Sequence, residues 1–365
     1  MRYRHLSVAI PSLAESENLP FLIESLKAQT FGDFSVYVCV NNPDGWSSSA
    51  DPWEYGCYVD NQKSLCYLDD VAKEYSSLHI VDRSSEGRGW VGKKRGVGWA
   101  RKTLFDSIVA AHGDDELIVS LDADTGFGNS YLSSVLEAMN ARPESLCLSV
   151  PYYHPLSGDE VSDRAMLRYE IYMRHYFLSM LDVAARLKAG NQKFPYAFTA
   201  LGSAMVFPAW AYRRVGGITP LQGGEDFYLM QKFAKSGTLL LSCDEVVKPQ
   251  GRISARVPFG TGPAVAKGVD SMDDTYPLYP HEAFEAVAET YSMFPALYEA
   301  DKETPMTQFL SSQLKSDDPS AEAELRYFCN AHGISLPDNF SFASSSVTVI
   351  NSVRDRLFNL ELSTR

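Results

Sequence analysis

The first 125 residues constrain the fold most, because nearly continuous apolar runs of strand length alternate with segments whose apolar residues recur at helical spacing. LSVAI (6–10), FSVYVCV (34–40), LHIVD (78–82) and ELIVSL (116–121) are the strand-like runs. Between them, NLPFLIESLKAQ places Leu19, Leu22, Ile23 and Leu26 on one helical face, NQKSLCYLDDVAKEY is helix-like, and RGVGWARKTLFDSIVAA repeats Val97, Ala100, Leu104 and Ile108 at the same period. Strands that lack apolar–polar alternation need cover on both faces, so the pattern predicts a mainly parallel sheet between layers of helices. In such sheets the functional crevice lies beyond the carboxyl ends of the strands. Asn41, Asn42, Asp122 and Asp124 all fall at predicted strand ends.

The alternation pauses after SLCLSVPYY for a long helix-like region over 161–188. It resumes with GSAMVFP, a short helix from Trp210 to Val215, the turn GGITPLQGGED, the helix FYLMQKFAKSG and the strand LLLSC. From about 265 the text changes to acidic helices separated by Pro, Ser and Asp, which predicts a main domain over 1–262 and a helical extension over 263–365. The polar stretch NNPDGWSSSADPWEYG predicts a long loop. The most membrane-like segment, AMLRYEIYMRHYFLSMLDVAARL, carries Arg168, Glu170, Arg174, His175 and Asp182 and predicts an amphipathic helix, with no transmembrane segment expected.

Charge narrows the partners. With 33 basic against 46 acidic residues the net charge is -13, which argues against nucleic acid and against a polybasic membrane anchor. An anionic ligand therefore needs a local basic patch. Cys39, Cys57, Cys66, Cys147, Cys243 and Cys329 include no CxxC pair and read as reduced thiols without a structural zinc. MRYRHLSVAIPS has no signal-peptide apolar stretch, so a cytoplasmic location is expected.

Several motifs carry chemistry. In IVSLDADTGF, Asp122 and Asp124 stand one residue apart at a strand end, where two carboxylates either converge on a hard divalent ion such as Mg²⁺ or Mn²⁺ or simply form a turn. Upstream, GRGWVGKKRGVGWARK sets Lys93, Lys94 and Arg95 among glycines near a helix start, a pattern that suits a phosphate or a solvated charge run. The GxGxxG of Gly87, Gly89 and Gly92 does not fit a dinucleotide fingerprint. Ser84 to Glu86 separate it from the strand, and Asp106, the acid about 20 residues on, falls within a helix. In GGED, Glu225 and Asp226 open a helix and read as a general base or as acids favoured by the helix dipole. Arg252 and Arg256 in GRISARVPFGTG suit a clamp on phosphate or acceptor, or face water. His281 is either a further metal ligand or structural.

In order, VAIPSLAESENLPFLIESLKAQ, VYVCVNN, KKRGVGWARKTL, LIVSLDADTGF and GSAMVFPAWAYRRVGGITPLQGGEDFYLMQKFAKSG resemble the blocks of glycosyltransferase family 2, of the GT-A fold, over roughly residues 5–243. The resemblance implies a GT-A type three-layer α/β sandwich with a mainly parallel central sheet plus a helical C-terminal extension. It implies an inverting, metal-dependent transfer of a sugar from a nucleotide-diphosphate donor to an acceptor hydroxyl. Carried over by position, Asp122 and Asp124 would hold Mn²⁺ or Mg²⁺. Asp226, with Glu225 beside it, would be the base. Pro11 and Glu15 would shape the nucleotide pocket, Asn41 and Asn42 would face base or ribose, and Arg95 would lie near the donor.

Two stretches depart from the family pattern: Leu13 and Ala14 replace its Tyr-Asn, and Asn41 and Asn42 replace its aspartates. An asparagine amide still pairs with a base edge, and UDP is slightly favoured over GDP. The acceptor implied is a carbohydrate or a lipid-linked sugar, compatible with peripheral membrane contact. Two other functions fit part of the pattern: a catalytically silent nucleotide-sugar-binding protein, and a sugar-nucleotide pyrophosphorylase. The latter calls for an N-terminal glycine-rich loop that VAIPSLAESENLP lacks.

Overall fold

The computed structural model describes residues 2–190, 194–252, 261–270, 276, 278–297, 304–313 and 320–364. The chain divides into two units, one built mainly from Met1–Pro155 with Ala200–Gln250, the other mainly from Leu156–Thr199 with Thr261–Arg365.

The strands are β1 (Leu6–Ser12), β2 (Phe34–Asn41), β3 (Leu78–Arg83), β4 (Leu117–Ser120), β5 (Thr125–Gly126), β6 (Cys147–Ser149), β7 (Met205–Pro208), β8 (Leu239–Leu240) and β9 (Lys248–Pro249). Among the described residues, seven of them form one sheet in the order β3-β2-β1-β4-β7-β6-β8, in which β7 alone runs antiparallel to its neighbours. The first unit's helices are α1 (Leu19–Lys27), α2 (Pro52–Glu74), α3 (Val97–Ala111), α4 (Tyr131–Ala141), α6 (Ala209–Arg214) and α7 (Glu225–Ser236). This is the mainly parallel α/β sandwich expected. Every residue of β1 and β2 is buried, as continuous apolar strands require when both faces are covered. Leu6, Val8 and Ile10 share the core with Val36, Val38 and Val40, with Leu19, Ile23 and Leu26 of α1, and with Leu132 and Val135 of α4.

The long loop expected over 41–56 is shorter. Helix α2 begins at Pro52, whose missing N–H costs nothing in a first turn, and Asp51 caps it by accepting from the Trp53 N–H at 2.8 Å.

The second unit contains α5 (Glu160–Ala189), α8 (Thr261–Asp270), α9 (His281–Leu297), α10 (Pro305–Gln313), α11 (Ala321–Ala331) and α12 (Val347–Thr364). The boundary expected at 262/263 groups residues 156–199 with the first domain; by packing, α5 belongs with the C-terminal helices. Met166, Leu167, Ile171 and Leu178 of α5 share a core with Val265, Leu325, Phe328, Ile350, Val353 and Leu357. The charges expected on a solvent face of α5 are mostly inside. Glu170 is buried, with Arg174 Nη2 at 2.7 Å and Arg354 Nη1 at 2.8 Å, and Arg174 is also bonded to Glu361. Arg168 lies over the Phe342 ring. Among the described residues no helix is long and apolar enough to cross a membrane.

Candidate active site

The site is built where β4 ends. Leu121 donates its N–H to the Ala9 carbonyl at 3.1 Å, and the Thr125 N–H returns to the Asp122 carbonyl at 3.2 Å, which makes 122–125 a turn at the carboxyl edge of the sheet. Pairing of β5 with β9 pins the far side of that turn. Leu121, Ala123 and Thr125 are buried while Asp122 and Asp124 are half-buried, so the alternation leaves both acids on the more open side.

Helix α3 supplies the opposite charge. Its buried positions Gly98, Arg101, Leu104, Phe105 and Ile108 recur at helical spacing, which puts Arg101 on the core face despite its charge. One arm, Nη2, lies 2.5 Å from Asp122 Oδ1, and the other, Nη1, is bonded to Glu225. Glycines make the room. A Cβ at Gly202 would fall 2.0 Å from Arg101 Nη2, and one at Gly98 would fall 2.1 Å from the Leu221 carbonyl oxygen. The first turn of α3 thus lies against the segment that leads into α7.

Helix α7 opens from Gly224, whose φ of 72° is in the left-handed region, and carries Glu225 and Asp226 in its first turn. Glu225 turns inward to Arg101 and is 1% exposed. Asp226 stays half-buried and accepts from the Phe227 N–H at 2.7 Å. Burial opposes the charge on Arg101, but Asp122, Glu225 and Asp226 together outweigh it and raise the guanidinium's pKa. Burial presses Glu225 up to about 7 against the pull of Arg101. Asp226 is raised as well, first by burial and then by Asp122, with Arg101 and the Phe227 N–H pulling the other way.

The remaining expected site residues take other places. Arg95 is exposed in the segment before α3 and has no hydrogen-bond or ion-pair partner among the described residues; the cation at the acids is Arg101, which no motif singles out. Its signal in the sequence is a charge standing inside the apolar stripe of an otherwise ordinary helix. Glu225, expected as part of the base, is spent on Arg101, which leaves Asp226 the more open of the two acids.

Asn41 and Asn42 both have their amides engaged within the protein. Asn41 donates to the Ser12 carbonyl at 2.8 Å and accepts from Trp90 Nε1 at 3.1 Å. Asn42 donates to the Pro43 carbonyl at 2.8 Å and accepts from Asn61 Nδ2 and the Ser84 hydroxyl.

Pro11 is buried in β1, and Glu15 is buried and accepts from Asn18 Nδ2 at 2.6 Å. Arg252 is half-buried just beyond β9, and Arg256 lies outside the described residues. His281 opens α9 in the second unit, with its ring stacked on Tyr327 and its Nδ1 3.2 Å from Glu282 and 3.5 Å from Glu324. It lines a cavity of about 250 Å³ there with His175, Asp182 and His332.

No protein-family model matches the chain, and no curated protein sequence matches it. Among solved structures it is similar to Staphylococcus aureus TarS 1-349 in complex with UDP-GlcNAc, at 12% identity and a TM-score of 0.45 over 99% of this chain and 91% of that one. It is similar to the mannosyltransferase PcManGT of Pyrobaculum calidifontis in complex with GDP-Man and Mn²⁺, at 13% identity and a TM-score of 0.43 over 96% and 86%. A third is glucosyl-3-phosphoglycerate synthase of Mycobacterium tuberculosis with Mn²⁺, UDP and glucosyl-3-phosphoglycerate, at 16% identity and a TM-score of 0.37 over 66% and 69%. Likenesses this distant assign neither a family nor an activity to the chain.

Proposed function

We propose that the chain is an inverting, divalent-metal-dependent glycosyltransferase that moves a sugar from a nucleotide-diphosphate donor to an acceptor hydroxyl. One observation carries the reading: Arg101 ties Asp122, after β4, to Glu225, at the start of α7, so Asp122, Glu225 and Asp226 belong to one electrostatic cluster at the carboxyl edge of the sheet. That edge is where ligands bind in open α/β sheets.

The donor set suits a hard ion. Asp122 and Asp124 offer carboxylate oxygens and no imidazole or thiolate, and both remain partly open. They would hold Mn²⁺ or Mg²⁺, which when bound offsets the negative charge of a departing nucleoside diphosphate. Asp226 takes the proton from the acceptor hydroxyl, and its partial burial favours a carboxylate basic enough for that task. Attack from the face opposite the leaving group inverts the anomeric carbon. Arg101 and Glu225 are positioning residues that hold the acids in register. Phe227 and Tyr228, exposed and 5.6 Å apart directly after Asp226, offer ring surface to the face of a carbohydrate acceptor, free or lipid-linked.

Calorimetry with UDP-, GDP- and TDP-sugars, with and without Mn²⁺, followed by a transfer assay with the donor that binds, tests the proposal. Metal-dependent binding of one donor and transfer that Asp226→Asn abolishes are expected. Donor binding with no transfer to any acceptor would leave a nucleotide-sugar-binding protein, and no donor binding at all would overturn the reading.

A further inference from the structure

Three of the seven histidines, His5, His79 and His112, gather at the amino edge of the first unit's sheet, opposite the edge that carries Asp122 and Asp124. His5 immediately precedes β1 and Glu116 immediately precedes β4. These strands pair with Leu6 opposite Leu117, so the two side chains emerge together. His112 follows the last residue of α3, eleven positions beyond Arg101, which is roughly 16 Å along a helix.

His5 Nδ1 lies 2.8 Å and 2.9 Å from the two Glu116 oxygens, His112 Nδ1 lies 3.6 Å from Glu116 Oε2, and the three ligand atoms fall within 4.8 Å of one another. The outer nitrogens are held too. His112 Nε2 is 3.1 Å from the Tyr37 hydroxyl, His5 Nε2 is 3.4 Å from Ser35 Oγ, and Ser7 Oγ donates to Glu116 at 2.5 Å. Oriented imidazoles whose far nitrogens rest on polar partners are the usual surroundings of a metal centre. Glu116 is 5% exposed, and among the described residues the ion-pair partners of its carboxylate are these two imidazoles, with no lysine or arginine. A buried carboxylate without a strong counter-charge is costly.

We propose that His5, His112 and Glu116 bind a divalent transition ion of the Zn²⁺ type, at a site distinct from the oxygen-only pair at Asp122 and Asp124. Two nitrogens and one carboxylate suit such an ion, where two carboxylates suit Mg²⁺ or Mn²⁺. The cysteines offer no zinc pattern; the imidazoles do. Zinc takes ligands at about 2.0–2.2 Å, so closing on one ion requires small rotations of His5 and His112, which at 28% and 26% side-chain exposure have room to make them and leave a position open to water. Uptake displaces the proton shared by His5 and Glu116 to solvent.

Zn²⁺ titrated into the chelator-stripped full chain, with excess Mg²⁺ present to fill the carboxylate pair, tests the site. One equivalent is expected to bind, ten-fold or more weaker in His112→Ala and measurably weaker in Tyr37→Phe. The ring resonances of His5 and His112 should shift on saturation while those of His281 and His332 stay put. That spectrum decides the matter even if His112→Ala fails to fold. Absence of saturable binding, binding as tight in His5→Ala and His112→Ala as in the unsubstituted chain, or shifts at His281 instead, overturns the proposal.

Discussion

One guanidinium arm of Arg101 lies 2.5 Å from Asp122 while the other is bonded to Glu225, so acids from two distant stretches of chain share a single buried cation. Arg101→Met leaves Glu225, 1% exposed, without its counter-charge. Stability should fall by about 3–5 kcal/mol, read as a lower urea midpoint at unchanged slope. Adding Glu225→Gln should recover part of the loss, since the stranded charge is then gone.

The two glycines that frame Arg101 should behave differently. At Gly202 the added methyl meets the end of a flexible side chain, so Gly202→Ala should displace the guanidinium, lower turnover and cost about 1–3 kcal/mol. At Gly98 the methyl meets the backbone of Leu221, which has no rotamer to change. Gly98→Ala should be the more destabilising in thermal melts, and a melt like that of the unsubstituted protein would contradict the packing of α3 on the α7 approach.

Asp226→Asn should lower the turnover number by about 10² to 10⁴ with donor affinity retained, because the amide cannot accept the acceptor's proton. In the unsubstituted protein, activity should fall on acidification as Asp226 is protonated. Burial raises its pKa, so the midpoint of that limb should lie above the ordinary value of 3.8 in a pH–rate profile.

His175, buried in the second unit beside His332, is pushed down from 6.5 to about 4, chiefly by burial. The unfolded chain then binds a proton that the folded one refuses between these values, so the stability contribution is full above about pH 6.5 and is lost as pH falls toward 4. The loss should reach about 3 kcal/mol. His175→Leu should flatten the dependence in urea melts taken across that window.

What could be read from the sequence follows from how local each signal is. Strands β1 to β4 were legible because an unbroken apolar run of strand length has to be covered on both faces wherever it lies, and the two acidic motifs were legible because they sit beside turns. Arg101 was not, since a charge within a helix normally marks the solvent side and nothing nearby in sequence names its partners. The internal bonding of Asn41 and Asn42 is hidden for a related reason: their partners Ser12, Asn61, Ser84 and Trp90 come from four other segments. The buried charges of α5 are the extreme case, with Glu170 meeting Arg354 across 184 positions and Arg174 meeting Glu361 across 187.

That last pairing bears on how the protein is made. A ribosome has released Met166, Glu170, Ile171 and Arg174 long before it reaches Arg354 and Glu361, so α5 emerges without the helix that neutralises and covers it. Chaperone occupancy of the nascent chain should therefore peak once α5 has left the exit tunnel and drop only after α12 follows.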